Sequence, residues 1–321
     1  MKICVIGAGA IGGWIAGLLA EASAEVSLLA RGATLSALNA NGLRVRRGGV
    51  ETVYRLKAQG DAARLERPDA VIVALKGQSI PAATPSIAAL LGPDTIVVPA
   101  VNGIPWWFFE GPNVPLAGLS LASVDPGGII ARAIPPARVV GCVVHASAWT
   151  PEPGVVEVQG EDRLILGEPD GGESGRVRAL AAAFGQSSVK LVASDNIRRD
   201  IWTKLWGNMT MNPLSVLTGA TTKRMLTDPD VRGLVRSMML EMQQLGTAIG
   251  LPIAMTPDER MDVTLRLGDI KTSMLRDFEA GREIEIGPIL GALAEIADRA
   301  GQDAPYLHAV LGLLRVRAGT A

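Results

Sequence analysis

Apolar residues fall in two rhythms along this chain. Up to about Ser194 they come as short β-branched runs, and Lys2 to Ile6, Glu25 to Leu29, Ala70 to Leu75, Thr95 to Val98, Val139 to Ala146, Val155 to Gln159, Arg163 to Leu166 and Val189 to Val192 read as strands. In the first hundred residues helical stretches separate the strands, which predicts a parallel sheet covered by helices. The later strands lie closer together, as hairpins would. Gly175 to Phe184 reads as a helix of the same region, and the polar turn before it, Gly167 to Ser174, as a local loop. Beyond Asp195 the spacing becomes helical, with predicted helices over Asn196–Leu217, Asp230–Ile249, Pro257–Ala280, Pro288–Ala300 and Ala304–Val316.

The first strand runs straight into Gly7-Ala8-Gly9-Ala10-Ile11-Gly12, and Ile11, Trp14, Ile15, Leu18 and Leu19 then share one helical face. In such a turn the first glycine permits the sharp reversal and the second lets backbone amides approach a pyrophosphate. The third lets helix and strand pack, which leaves an anion at the positive end of the helix. The strand before it, the helix behind it and the second strand at the right interval make this a dinucleotide site rather than a stray glycine pattern. A packing-driven turn or an export signal over Lys2 to Ala20 would leave that second strand unexplained.

About twenty residues past the glycines an NAD site usually carries an acidic side chain on the ribose hydroxyls. Here the position reads Ala30-Arg31-Gly32. With no carboxylate to repel a 2′-phosphate, and Arg31 offering a planar fork of donors, NADP(H) is the expected cofactor; a solvated surface arginine is the alternative.

Composition narrows the classes. The chain has 321 residues with 48% hydrophobic and 20% charged content, which suits a two-domain globular protein. Its 31 basic and 32 acidic residues leave a formal net charge of -1, so no global field exists to hold a nucleic acid or an anionic membrane. Cys4 and Cys142 are too few for a disulfide framework. With His145 and His308, both read as structural, they give no metal site, and a reducing cytoplasm fits best. A homodimer is compatible with the sequence, which does not decide oligomeric state.

A row of polar residues marks the second half. Lys204, Asn208 and Asn212 stand four apart, so each is rotated by about 40° from the last and the row spans roughly 12 Å along one helix face. A cation and two amides can serve the carboxylate and carbonyl oxygen of a small 2-oxo acid. They can equally be a solvated lysine with asparagines satisfying nearby backbone. Pro213 follows directly and allows a helix distortion.

Taken together, Gly7 to Gly12 with Arg31, Val73-Ala-Leu-Lys76 with Gln78, Val101-Asn102-Gly103, Trp202 to Leu214, and Ser273 to Asp277 with Gly281 to Ile286 resemble the ketopantoate reductase (2-dehydropantoate 2-reductase) family. The resemblance implies an α/β protein: an N-terminal Rossmann-type dinucleotide-binding domain, placed at 1–194, followed by an all-helical C-terminal domain at 195–321. It implies an active site in the cleft between the two and NADPH as hydride donor. It casts Lys204 as the group that hydrogen-bonds the ketone and protonates the alkoxide, with Glu285 as the carboxylate that holds it. Asn102, Asn208, Asn212 and Ser273 become the substrate-binding set. Gly7, Ala8, Gly9, Ala10, Ile11, Gly12, Arg31, Lys76, Asn102 and Glu285 become the cofactor set.

The chain departs from the family pattern at Val101, Ile284, Gly287 and Leu290, and Lys76-Gly-Gln78 is one residue tighter than the common spacing. These changes remove polar groups and bear on which acid is reduced. Trp106-Trp107-Phe108-Phe109 either walls the cleft or, as the preferred reading, packs as a short helix on the domain or a partner. Two other functions share this plan: an opine-type or hydroxy-acid dehydrogenase, and a non-catalytic NADP(H)-binding regulator.

Overall fold

The computed structural model describes residues 1–111 and 114–320. Its strands are β1 (Lys2–Ile6), β2 (Glu25–Leu29), β3 (Leu43–Arg47), β4 (Val50–Tyr54), β5 (Lys57–Gln59), β6 (Ala70–Val73), β7 (Ile96–Pro99), β8 (Gly141–Trp149), β9 (Val155–Gly167) and β10 (Lys190–Ala193). The helices are α1 (Ala10–Glu21), α2 (Gly32–Asn41), α3 (Ile80–Leu90), α4 (Ile129–Ala133), α5 (Gly175–Phe184), α6 (Ile197–Thr218), α7 (Thr222–Thr227), α8 (Pro229–Ala248), α9 (Pro257–Arg266), α10 (Ser273–Glu279), α11 (Ala292–Ala300) and α12 (Pro305–Ala318). Two compact units emerge, one of residues 1–101 with 128–200 and one of residues 102–127 with 201–321.

The first unit holds a parallel five-stranded sheet in the order β5-β2-β1-β6-β7. Its central strands are apolar along their whole length: Ile3, Cys4, Val5 and Ile6 in β1 and Ala70 to Val73 in β6 are all buried. Continuous apolar runs, rather than alternating ones, are what a strand covered on both faces requires. Trp14, Ile15, Leu18 and Leu19 of α1 join that core.

A second, mixed sheet belongs to the same unit. Residues 155–158 of β9 pair in parallel with β3, residues 163–166 pair in parallel with β10, and β8 runs antiparallel along β9 with a register shift between His145 and Ser147. The two strands read at Val155 to Gln159 and Arg163 to Leu166 are therefore one. The hairpin β3–β4 and the edge strand β5 carry charged, half-exposed sequences with little apolar alternation, which is why the sequence pattern missed them.

The second unit is helical, apart from the segment 102–127, which the boundary at 194/195 had assigned to the first. Local bonds account for that correction. Ile104 N donates to Pro288 O at 2.9 Å, and a Cβ on Gly103 would overlap Pro288. The Glu295 carboxylate of α11 accepts from Ala122 N and Ser123 N, both at 2.7 Å. The chain crosses from one unit to the other inside α6, between Asp200 and Ile201.

One predicted helix, Pro257–Ala280, is two. Gly268 adopts φ +93° after α9, and Thr272 then starts α10 by accepting from Leu275 N at 3.1 Å. The aromatic run 106–109 forms turns, not a helix. All four rings are buried in the second unit, where Phe108 meets Phe109 edge-on at 5.1 Å and stacks on Trp202 at 6.3 Å. Among the described residues no helix is long and apolar enough to cross a membrane.

Candidate active site

In the first unit the three glycines of the turn differ in what surrounds them. Gly7 has φ +91°, and a Cβ there would come within 2.7 Å of both Ala74 O and Leu75 Cδ2. On Gly12 a Cβ would overlap the Gly7 carbonyl oxygen. Gly9 has no neighbour within 4 Å of that position, so open space lies over the middle of the turn. The first intrahelical bond of α1 runs from Gly13 N to Gly9 O at 2.8 Å, which leaves the amides of Ala10, Ile11 and Gly12 ahead of it, and the first turn holds no acidic residue. A helix end of this kind has the free amides and the dipole that suit an anion.

Two further features fit a dinucleotide. Arg31 stands at the N-cap of α2, exposed, with no ion pair or hydrogen bond from its guanidinium among the described residues. Beyond β6, Lys76 leads into a single tight turn over Gly77–Ser79, and both amide atoms of Gln78 are buried without a hydrogen-bond partner among the described residues. A buried, unsatisfied carboxamide beside the end of a central parallel strand calls for a polar ligand group.

In the second unit Lys204 and Asn208 lie away from the core face of α6, and Asn212 turns toward it. Trp202, Leu205, Trp206 and Met209 are at most 1% exposed, and the Trp206 indole donates to Met239 O at 2.9 Å. Lys204 and Asn208 are half-buried and Asn212 is buried. Lys204 Nζ donates to Asn102 Oδ1 at 2.8 Å, and Asn102 Nδ2 donates to Glu285 Oε2 at 3.3 Å. One carboxamide thus joins the lysine to the carboxylate, and Glu285 is only 4% exposed. The link fixes which end of the Asn102 amide faces which charge, because the oxygen can only accept and the NH2 can only donate.

The loop carrying Glu285 is held by its own bonds. Gly281 takes φ +65°, Arg282 N donates to Asp277 O at 2.8 Å, and Arg282 Nε donates to the Asp277 carboxylate at 2.9 Å. A second relay ties α10 to α6: the Ser215 hydroxyl donates to Asn212 O at 2.7 Å and lies 2.6 Å from the Thr272 hydroxyl. Ser273 is then the first residue of α10 and is exposed. Sequence reasoning overlooked the supports Ser215 and Thr272. Their only signal was Thr immediately before a short apolar helix, the usual cap position.

His308, read as structural, is largely exposed and lies 3.6 Å from Asp298. Burial pushes the Cys4 thiol up to about 11, consistent with an inert core residue.

Comparison with known proteins supplies the lineage. The ketopantoate reductase PanE/ApbA family model matches residues 3–106, and its C-terminal counterpart matches residues 196–318. A Mesorhizobium japonicum protein named 2-dehydropantoate 2-reductase is 42% identical over 98% of this chain and 97% of its own. A crystal structure of a Ralstonia solanacearum protein assigned as a ketopantoate reductase has TM-score 0.95 and 46% identity, covering 99% of this chain and 98% of that one. The 2-dehydropantoate 2-reductase of Methylococcus capsulatus follows with TM-score 0.83 and 30% identity over 98% of this chain and 96% of that one. The chain therefore belongs to the ketopantoate reductase family of NADP(H)-dependent oxidoreductases.

Proposed function

We propose that this protein is a cytoplasmic NADPH-dependent reductase of a small 2-oxo acid, converting 2-dehydropantoate to pantoate. The observation that carries the reading is the hydrogen-bonded set Lys204–Asn102–Glu285. A bound nicotinamide dinucleotide supplies hydride to C2 of the acid. Lys204 donates a hydrogen bond to the ketone oxygen, stabilises the negative charge that grows there, and delivers the proton that completes the alcohol. Asn102 and Glu285 keep the ammonium group oriented, since each alternative rotamer would abandon a charge-assisted hydrogen bond. Asn208, Asn212 and Ser273 supply donors to the acid, and Asn102 serves both acid and cofactor.

On the cofactor side, the turn from Gly7 through Ala8, Gly9, Ala10 and Ile11 to Gly12 takes the pyrophosphate. Arg31 takes the 2′-phosphate, and Lys76 and Glu285 complete the set. The lack of a carboxylate at Ala30-Arg31-Gly32 supports NADPH over NADH. The test is NADPH oxidation by the purified protein across a panel of 2-oxo acids, with and without an amine. Turnover of 2-dehydropantoate, independent of amine and faster with NADPH than NADH, is the expected result. Turnover that requires the amine would instead favour reductive amination, and no turnover of any 2-oxo acid would overturn the reading.

A further inference from the structure

Arg260 of α9 is a half-buried cation that the catalytic reading leaves unused. Its guanidinium packs against α6 at Gly207, where a Cβ would overlap Nη2 and stand 2.9 Å from Cζ and 3.2 Å from Nε. Gly207 is one turn along from Lys204, rotated by about 60°, and adjoins Asn208. Thr203, Lys204 and Asn208 are the exposed or half-buried positions around it. The glycine therefore opens a notch in the face that carries Lys204, and the guanidinium fills it.

The only side-chain partner of this guanidinium among the described residues is Thr264, whose hydroxyl accepts from Nη1 at 3.0 Å; that hydroxyl in turn donates to Arg260 O at 3.2 Å. No carboxylate among the described residues lies within ion-pair distance of it. Other arginines of this unit, such as Arg232 with Asp258 and Arg282 with Asp277, do have acidic partners. Burial pulls the Arg260 pKa down with no nearby acid to oppose it. Holding a guanidinium out of water without a counter-charge is costly, and an incoming carboxylate would repay that cost with two parallel hydrogen bonds.

We infer that Arg260, seated in the Gly207 notch beside Lys204 and Asn208, binds the carboxylate of the 2-oxo acid and selects charged acids over neutral ketones. The inference rests on the reductase reading above and deepens it. Lys204 is thereby left to the ketone oxygen, while Thr264 holds Nη1 and leaves Nε and Nη2 without a side-chain partner among the described residues.

The test compares 2-dehydropantoate with its uncharged primary amide, in wild type, Arg260→Ala, Arg260→Gln and Arg260→Lys. Loss of the fork should raise KM for the acid roughly 30-fold or more. For the amide kcat/KM should stay within about threefold, with NADPH affinity and Tm unchanged. Arg260→Lys should fall between, because it keeps charge and loses bidentate geometry. Added guanidinium ion should partly restore Arg260→Ala with the acid alone. Should Arg260→Ala fail to fold, the Gln and Lys variants carry the same comparison. An equal loss for acid and amide, a drop confined to Tm, or no loss at all overturns the role of Arg260. Failure of wild type to reduce any 2-oxo acid overturns the reductase reading instead.

Discussion

Lys204 Nζ donates to Asn102 Oδ1 at 2.8 Å although the two residues lie 102 positions apart in the chain. Lys204→Ala removes an interaction that strengthens as charge develops on the ketone oxygen, so kcat should fall by ~10²- to 10⁴-fold while NADPH binding stays nearly intact. Single-turnover kinetics with titrated NADPH fluorescence separates the two. Turnover surviving within about tenfold, or ~1.4 kcal/mol, would remove Lys204 from its role.

Asn102 makes a sharper test because it must accept on one side and donate on the other. Asn102→Asp can still accept from Lys204, yet it sets a second carboxylate against the buried Glu285. We expect kcat to drop at least tenfold in that variant, and Glu285→Gln placed on top of it to recover part of the loss. Strictly additive losses would show that Asn102 and Glu285 act independently.

Asn208 is expected to act on substrate affinity. Asn208→Ala should raise KM for the acid more than it alters NADPH affinity, measured by steady-state kinetics and cofactor titration. A change in cofactor affinity alone would move Asn208 to the other ligand.

The glycine turn separates fold from binding. Gly12→Ala forces a methyl group into the Gly7 carbonyl and should cost about 3 kcal/mol or more in stability, read from denaturant midpoints. Gly9→Ala meets nothing within 4 Å and has an ordinary φ of -82°, so stability should change by no more than ~0.5 kcal/mol. NADPH affinity should nevertheless fall, because the methyl occupies the space a pyrophosphate needs. Unchanged affinity in Gly9→Ala would place the cofactor elsewhere. Arg31→Ala, in the same assay, should raise KM for NADPH and leave that for NADH nearly constant.

Cys4 gives a pH signature of the sheet core. Its ordinary thiol value is 9.0 and burial raises it to about 11 in the folded chain, so the native state resists losing this proton more than the unfolded state does. The associated stability is complete below 9.0 and is lost as pH climbs toward 11. The unfolding midpoint of wild type should decline more steeply over that interval than that of Cys4→Ala. Parallel slopes would contradict the burial effect.

Much of the fold was legible because local chemistry dictated it. The sequence Lys2 to Gly12 encodes strand, turn and helix within a dozen residues, and Gly7 and Gly12 each have a steric reason visible in the structure. Spacing likewise set Lys204 and Asn208 on one face of α6, since helix periodicity alone decides which residues share a side. The β3–β4 hairpin was hidden because its charged residues pair by backbone bonds with β9, a partner far along the chain, and backbone bonding leaves little trace in side-chain pattern.

From the sequence alone came the dinucleotide turn, the missing ribose carboxylate and the polar row of α6. Only tertiary structure decided that 102–127 leaves the first unit, that one carboxamide spans Lys204 and Glu285, and that Arg260 fills a notch at Gly207. Each of the latter joins residues far apart in the chain. Such meetings depend on how whole helices pack, which neither periodicity nor composition of any one segment records.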